Sequence, residues 1–188
     1  MNTESDQLVR FMKGLAATAE LHARAGRLGC FIESVCLCAS MIDGALRMGL
    51  ILKHQLNTRS AALLPELLYQ GETDTPISER DVYRRALANG VIDKATFDEL
   101  NTLYDDRNRV IHCYIISDIT TAQVLDIAIR YDKVKNGISE HIGELEAIQI
   151  RENVGMTVRD DTTFGLHELL NFSEDKHGSG ELAKKVRS

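Results

Sequence analysis

The chain predicts an all-α fold, a helical bundle, and three observations predict it. Two prolines among 188 residues are a small supply of helix breakers, and aromatics at 5% with no tryptophan are a small supply of sheet-forming side chains. Apolar residues recur at three-and-four spacing over long stretches instead of alternating. A composition of 44% hydrophobic and 27% charged residues fits one ordinary globular domain and leaves no length for a second full-sized one. Residues 1–172 are therefore read as a single domain with its core in roughly 1–150. The polar stretch 173–188 is read as a frayed, disordered tail.

Each element has its own warrant. Residues 3–25 place Leu8, Phe11, Met12, Leu15, Ala16 and Ala19 on one stripe, a first helix that should end near Gly26. Residues 28–55 carry Phe31, Ile32, Val35, Leu37, Cys38, Met41, Ile42, Leu46, Leu50 and Ile51, so apolar positions wrap most of the circumference. Such a helix needs cover on more than one side, from its own bundle or from a second copy of the chain. Glu33, Asp43 and Arg47 interrupt it at depths that make a membrane span costly, which marks it as a core helix, with Asp43 and Arg47 paired one turn apart.

Leu63, Leu64, Leu67 and Leu68 around Pro65 suggest a short helix, followed by a loop over 71–76. Ser78 ahead of Glu79 and Asp81 starts another helix, stopped by Asn89-Gly90. Asp93 caps a helix through Phe97, Leu100, Leu103, Val110 and Ile111 to about residue 116. A long apolar period over 122–150 predicts the last large helix, with Asn136-Gly137 and Gly143 as candidate bends or breaks. Between 156 and 172 the pattern allows a strand at Thr157 and Val158 or a helix over 166–170.

Charge and cysteine content bound the function. Twenty-eight acids against 22 basic residues give a net charge of -6, which excludes a broad cationic footprint for nucleic acid and leaves room only for a small local site. The start of the chain has no positive region before an apolar run, so no secretory signal and a cytoplasmic location are expected. Cys30, Cys36, Cys38 and Cys113 form no Cys-x-x-Cys pair, and the histidines His22, His54, His141, His167 and His177 show no ligand spacing. Neither a metal nor a cofactor is expected.

The chemistry concentrates in Tyr104-Asp105-Asp106-Arg107-Asn108-Arg109-Val110-Ile111-His112-Cys113-Tyr114. On a helix, with Leu103 at zero, Val110 and Tyr114 fall within about 20° and Arg107 at about 40°. An arginine inside an apolar stripe needs a carboxylate, with Asp43, Glu33 and Asp106 as candidates, or lines a pocket for an anion. Asn108 and His112 share a different face, about 140° and 180° from Leu103. Arg107 and His112 are separated by about 140° of rotation and about 7.5 Å of rise, so one straight helix cannot bring both to one narrow cleft. Cys113 beside His112 points about 100° away and makes no nucleophilic pair.

Arg107, Asn108, three residues and His112, with Tyr114 two places on, resemble the signature of the HEPN superfamily and in particular its HepT-type toxins. The resemblance implies a small, dimeric all-α domain acting as a metal-independent endoribonuclease on RNA, with two motifs meeting across a homodimer cleft. It implies that Arg107 holds the scissile phosphate, His112 serves as general base or acid, and Asn108 orients the histidine or the phosphate by hydrogen bonding. Tyr114 would be a supporting donor and the site where a partner nucleotidyltransferase antitoxin attaches nucleotide. HEPN domains that have lost activity serve as RNA-binding or assembly modules.

A rival reading comes from another class. Residues 79–87, the Asn89-Gly90 turn and the helix from Lys94 have the outline of a helix-turn-helix, with Arg80, Arg84, Arg85 and Lys94 as phosphate contacts. The sequence is loosely similar there to mannitol-repressor-like transcriptional regulators. Against this reading, Asp93, Asp98, Glu99, Asp105 and Asp106 load the would-be recognition helix with charge that repels DNA.

Overall fold

A computed structural model describes residues 3–71 and 74–158. The described residues form helices joined by short connections, without strands: α1 (Glu4–Leu28), α2 (Phe31–Thr58), α3 (Pro65–Leu68), α4 (Glu79–Ala88), α5 (Lys94–Cys113) and α6 (Thr121–Glu152), then a 3-10 turn at Met156–Val158. The all-α expectation holds. The strand considered at Thr157 and Val158 does not form; this segment folds back as the turn, held by the Thr157 amide donating to Gln149 Oε1 at 3.2 Å. The alternatives over 166–170 and the tail at 173–188 lie outside the described residues.

Helix α2 is the axis of the fold. It packs against α6 over the most extensive interface, with α1, α4, α5 and the short α3 on its other sides. Val35, Cys38, Ile42, Leu46, Ile51 and Leu52 are all buried, so the near-continuous apolar character of its sequence is satisfied inside a single chain. Among the described residues α2 is the one helix long and apolar enough to cross a membrane, yet most of that apolar surface faces other helices. Two of its interrupting charges, Asp43 and Arg47, are paired as their spacing predicts: Arg47 Nε donates to Asp43 Oδ2 at 2.7 Å, and the other guanidinium nitrogens reach the carbonyls of Leu67 and Ile77.

Helix ends differ from expectation where backbone geometry decides them. The first helix runs past Gly26 to Leu28 because Gly29 is the residue that adopts a left-handed conformation (φ 71°) and donates back to the last carbonyls. That cap displaces the start of α2 to Phe31. Helix α6 is continuous through Gly137 and Gly143. Val124, Ile127, Ala128, Tyr131, Ile138 and Leu145 form one buried stripe along it, and this packing outweighs a helix penalty of about 1 kcal/mol at each glycine.

Helix α5 is capped by Asp93, whose carboxylate accepts the Thr96 amide at 2.7 Å, and it ends at Cys113, three residues sooner than the sequence predicts. Leu100, Leu103 and Val110 face the core as expected, but Ile111 does not: it is exposed. Ile115 and Ile116, 95% and 82% exposed, stand in the turn beyond. Leu125 on α6 is also exposed to solvent.

Candidate functional site

The site is built where α4 and α5 meet over α2. Ser78 caps α4 by accepting the Asp81 amide, which fixes Glu79 as the first helical residue and turns its side chain toward α5. Glu79 Oε2 accepts Arg107 Nη1 at 2.5 Å, in a pair whose side chains are only 17% and 15% exposed. The other oxygen of Glu79 accepts the hydroxyl of buried Tyr83. The Tyr104 ring lies against the Arg107 guanidinium at 4.7 Å and against Arg80 at 4.4 Å, one ring serving two cations. Arg107 Nη2 reaches Asn108 Oδ1 at 3.4 Å.

The carboxylate that an arginine in this stripe requires is therefore Glu79, and none of Asp43, Glu33 or Asp106. Asp106 instead accepts Arg130 Nη1 at 2.9 Å, beside Glu99 on Arg130 Nε at 2.9 Å. Burial works against the charge on Arg107, but the hydrogen bond and charge of Glu79 more than offset it, so the guanidinium is held protonated above its ordinary range. The same burial and the same carboxylate push the Tyr83 hydroxyl far up, and it stays neutral. With Nη1 fixed by Glu79, the guanidinium still has further donors to offer an anion.

The four residues of the motif divide by depth. Arg107 and Asn108 are half-buried and touch each other; His112 and Tyr114 are exposed, at the last turn of α5 and just beyond it. Tyr114, placed on the apolar stripe by helical arithmetic, is 43% exposed because it follows the end of the helix. It lines a cavity of about 470 Å³ with Phe31, Ile32, Glu33 and Val124. Tyr114, Ile115 and Ile116 thus give the end of α5 a solvent-facing apolar surface beside His112.

Glu79, Tyr83 and Tyr104 were not singled out by the sequence. A faint signal was present: Glu79 and Tyr83 stand one turn apart on the face of α4 that also buries Val82 and Ala86. The rival helix-turn-helix cations are largely occupied. Arg80 binds Asp105 at 2.5 Å, Lys94 binds Asp98 at 2.5 Å, and Arg84 pairs with Asp81.

What fold and geometry define is an all-α domain with a half-buried Arg-Asn pair and an exposed His and Tyr on one helix. No family model matches the chain, and no curated protein or solved structure is significantly similar to it.

Proposed function

We propose that the protein is a HEPN-type metal-independent endoribonuclease, active as a homodimer in the cytoplasm. The observation that carries this reading is the single helix α5 on which Arg107 and Asn108 are pinned beneath the surface while His112 is presented above it, next to an apolar surface that a second copy would cover. Two-fold pairing through that surface supplies what one chain lacks, because two copies of α5 can contribute Arg107 from one subunit and His112 from the other to a common cleft.

In that cleft the imidazole of His112 takes the proton from the ribose 2'-hydroxyl. The 2'-oxygen attacks the adjacent phosphorus and the 5'-oxygen leaves with a proton from the partner subunit's His112, giving a 2',3'-cyclic phosphate and a 5'-hydroxyl. Arg107, held protonated by Glu79, stabilises the charge that gathers on the phosphate oxygens. Asn108 orients the guanidinium through their mutual contact. Tyr114, with its ring exposed at the mouth, is the residue on which a nucleotidyltransferase antitoxin would place a nucleotide and block the cleft. The net charge of -6 leaves selection of RNA to the shape of the cleft instead of to bulk attraction.

Purified protein incubated with total RNA in EDTA should cut it, and Arg107→Ala and His112→Ala should each lose about 100-fold or more in rate while remaining folded. RNA retention without cleavage would replace the enzyme with a non-catalytic RNA-binding module. Retention of duplex DNA alone would favour the transcriptional regulator, against which the paired states of Arg80, Arg84 and Lys94 already weigh.

A further inference from the structure

Away from the α4 and α5 site, three helices bring together a histidine, a cysteine and a carboxylate that are far apart in the chain. His22 of α1, Cys38 of α2 and Asp132 of α6 each offer a ligand atom, and these atoms all lie within 4.8 Å of one another. No spacing along the sequence marks this set, because each residue comes from a different helix. We propose that His22, Cys38 and Asp132 form a zinc site that ties α1 to the α2 and α6 core.

The separation of the His22 and Cys38 ligand atoms fits the ion. Two ligands on a tetrahedral zinc, with Zn–S of about 2.3 Å and Zn–N of about 2.0 Å, stand about 3.5 Å apart. His22 Nε2 and Cys38 Sγ are 3.5 Å apart. Without metal that distance is a contact between thiol and imidazole, and the hydroxyl of Ser34 converges on the same nitrogen at 3.1 Å. Two potential donors thus aim at the single lone pair a neutral imidazole would offer to a metal. The ligand set of imidazole nitrogen, thiolate sulfur and carboxylate oxygen is one that zinc accepts, and with three protein ligands a water completes the tetrahedron. Binding replaces the Cys38 S–H bond with a Zn–S bond, and the proton leaves to solvent.

One local feature opposes the ion and supplies a specific test. Lys135 Nζ lies 2.5 Å from Asp132 Oδ1, and Asn136 donates to Oδ2 at 3.3 Å, so zinc must share Asp132 with an ammonium. Removing that ammonium should strengthen binding, an outcome a purely structural polar cluster would not produce. None of the ligands lies on α4 or α5, so this site and the ribonuclease reading stand or fall separately.

The untagged full chain, stripped with chelator and then given Zn²⁺ alone, should retain one equivalent through gel filtration and unfold at higher temperature than the metal-free protein. Lys135→Met should bind about tenfold tighter. Asp132→Asn, at a half-buried position where folding is not at risk, should bind more weakly. With Co²⁺ in place of zinc, the thiolate-to-metal charge-transfer absorption should appear in the parent and in Cys36→Ser and vanish in Cys38→Ser. Failure of the parent to retain zinc overturns the site, as does retention indifferent to both Lys135→Met and Asp132→Asn, or a cobalt band that follows Cys36 instead of Cys38.

Discussion

The two halves of α5 are built to different rules. From Glu99 to Arg107 the ionised side chains meet opposite charges from other helices: Glu99 and Asp106 meet Arg130, Asp105 meets Arg80, and Arg107 meets Glu79. From Ile111 through the last residues of the helix and the turn beyond it to Ile116, apolar side chains face solvent, with His112 and Tyr114 among them. A helix whose first part is cross-braced by ion pairs and whose last part is left uncovered has a rigid base and an open end. That is the arrangement expected where the open end meets a second molecule. The difference also separates two settings for the motif residues on one helix: Arg107 is fixed by Glu79 and the Tyr104 ring, and His112 stands exposed, where the proposed second subunit would complete it.

The strongest way to break this contrast is to remove the brace under Arg107. Glu79→Ala strands a guanidinium whose side chain is 15% exposed and leaves the Tyr83 hydroxyl without its acceptor, so the fold should lose about 3 kcal/mol in urea denaturation. Glu79→Gln keeps one acceptor oxygen for Arg107 and turns an amide N–H toward the Tyr83 oxygen, so it should lose clearly less. If Glu79→Ala unfolds at the parent's urea concentration, Arg107 is not held by this pair, and its fixed position beneath the proposed cleft has no basis.

How much of this was legible in the sequence depends on the range of the cause. Periodicity is a local property, and it located α1, α2, α4, α5 and α6 to within a few residues. Asp43 with Arg47 is also local, one turn on one helix, and it pairs as its spacing predicts. Gly29 in place of Gly26 as the end of α1 was not legible, because two glycines three residues apart are equivalent until one adopts a positive φ. Gly137 and Gly143 read as breaks only while α6 is considered alone; packed along α2, the helix runs through them. Glu79 as the partner of Arg107 and Asp132 beside Cys38 arise from how separate helices dock, so no spacing could have disclosed them. Ile111 failed for a simpler reason: at about 80° from Leu103 it lies at the edge of the stripe, and which edge is covered is decided by α6.

The open end of α5 offers the next test. Ile115→Glu with Ile116→Glu places two charges on side chains that touch little within the chain, so the monomer should keep its helicity and its unfolding midpoint. Dimerisation should weaken at least about tenfold in sedimentation equilibrium, and RNA cleavage should fall with it. A parent protein that sediments as a monomer at micromolar concentration removes the second copy from the account. In that case Arg107 and His112 are simply two residues on different faces of one helix.

The smallest effect lies at the start of α5, where the braced half begins. Asp93 caps the helix through its bond to the Thr96 amide, and that bond holds its carboxyl below the usual aspartate range. Because the folded value lies below the unfolded one, the contribution is fully present above about pH 4 and is lost as pH falls through the depressed folded value. An asparagine cap keeps the acceptor oxygen and does not titrate. Asp93→Asn should therefore match the parent's urea midpoint closely at neutral pH and change less than the parent does on acidification to about pH 3. The cap acts at the end of the helix opposite His112, and so the dimer dissociation constant should be the same in Asp93→Asn and parent at neutral pH. A shift there would mean that the two halves of α5 are coupled, and that the open end is not independent of the braced one.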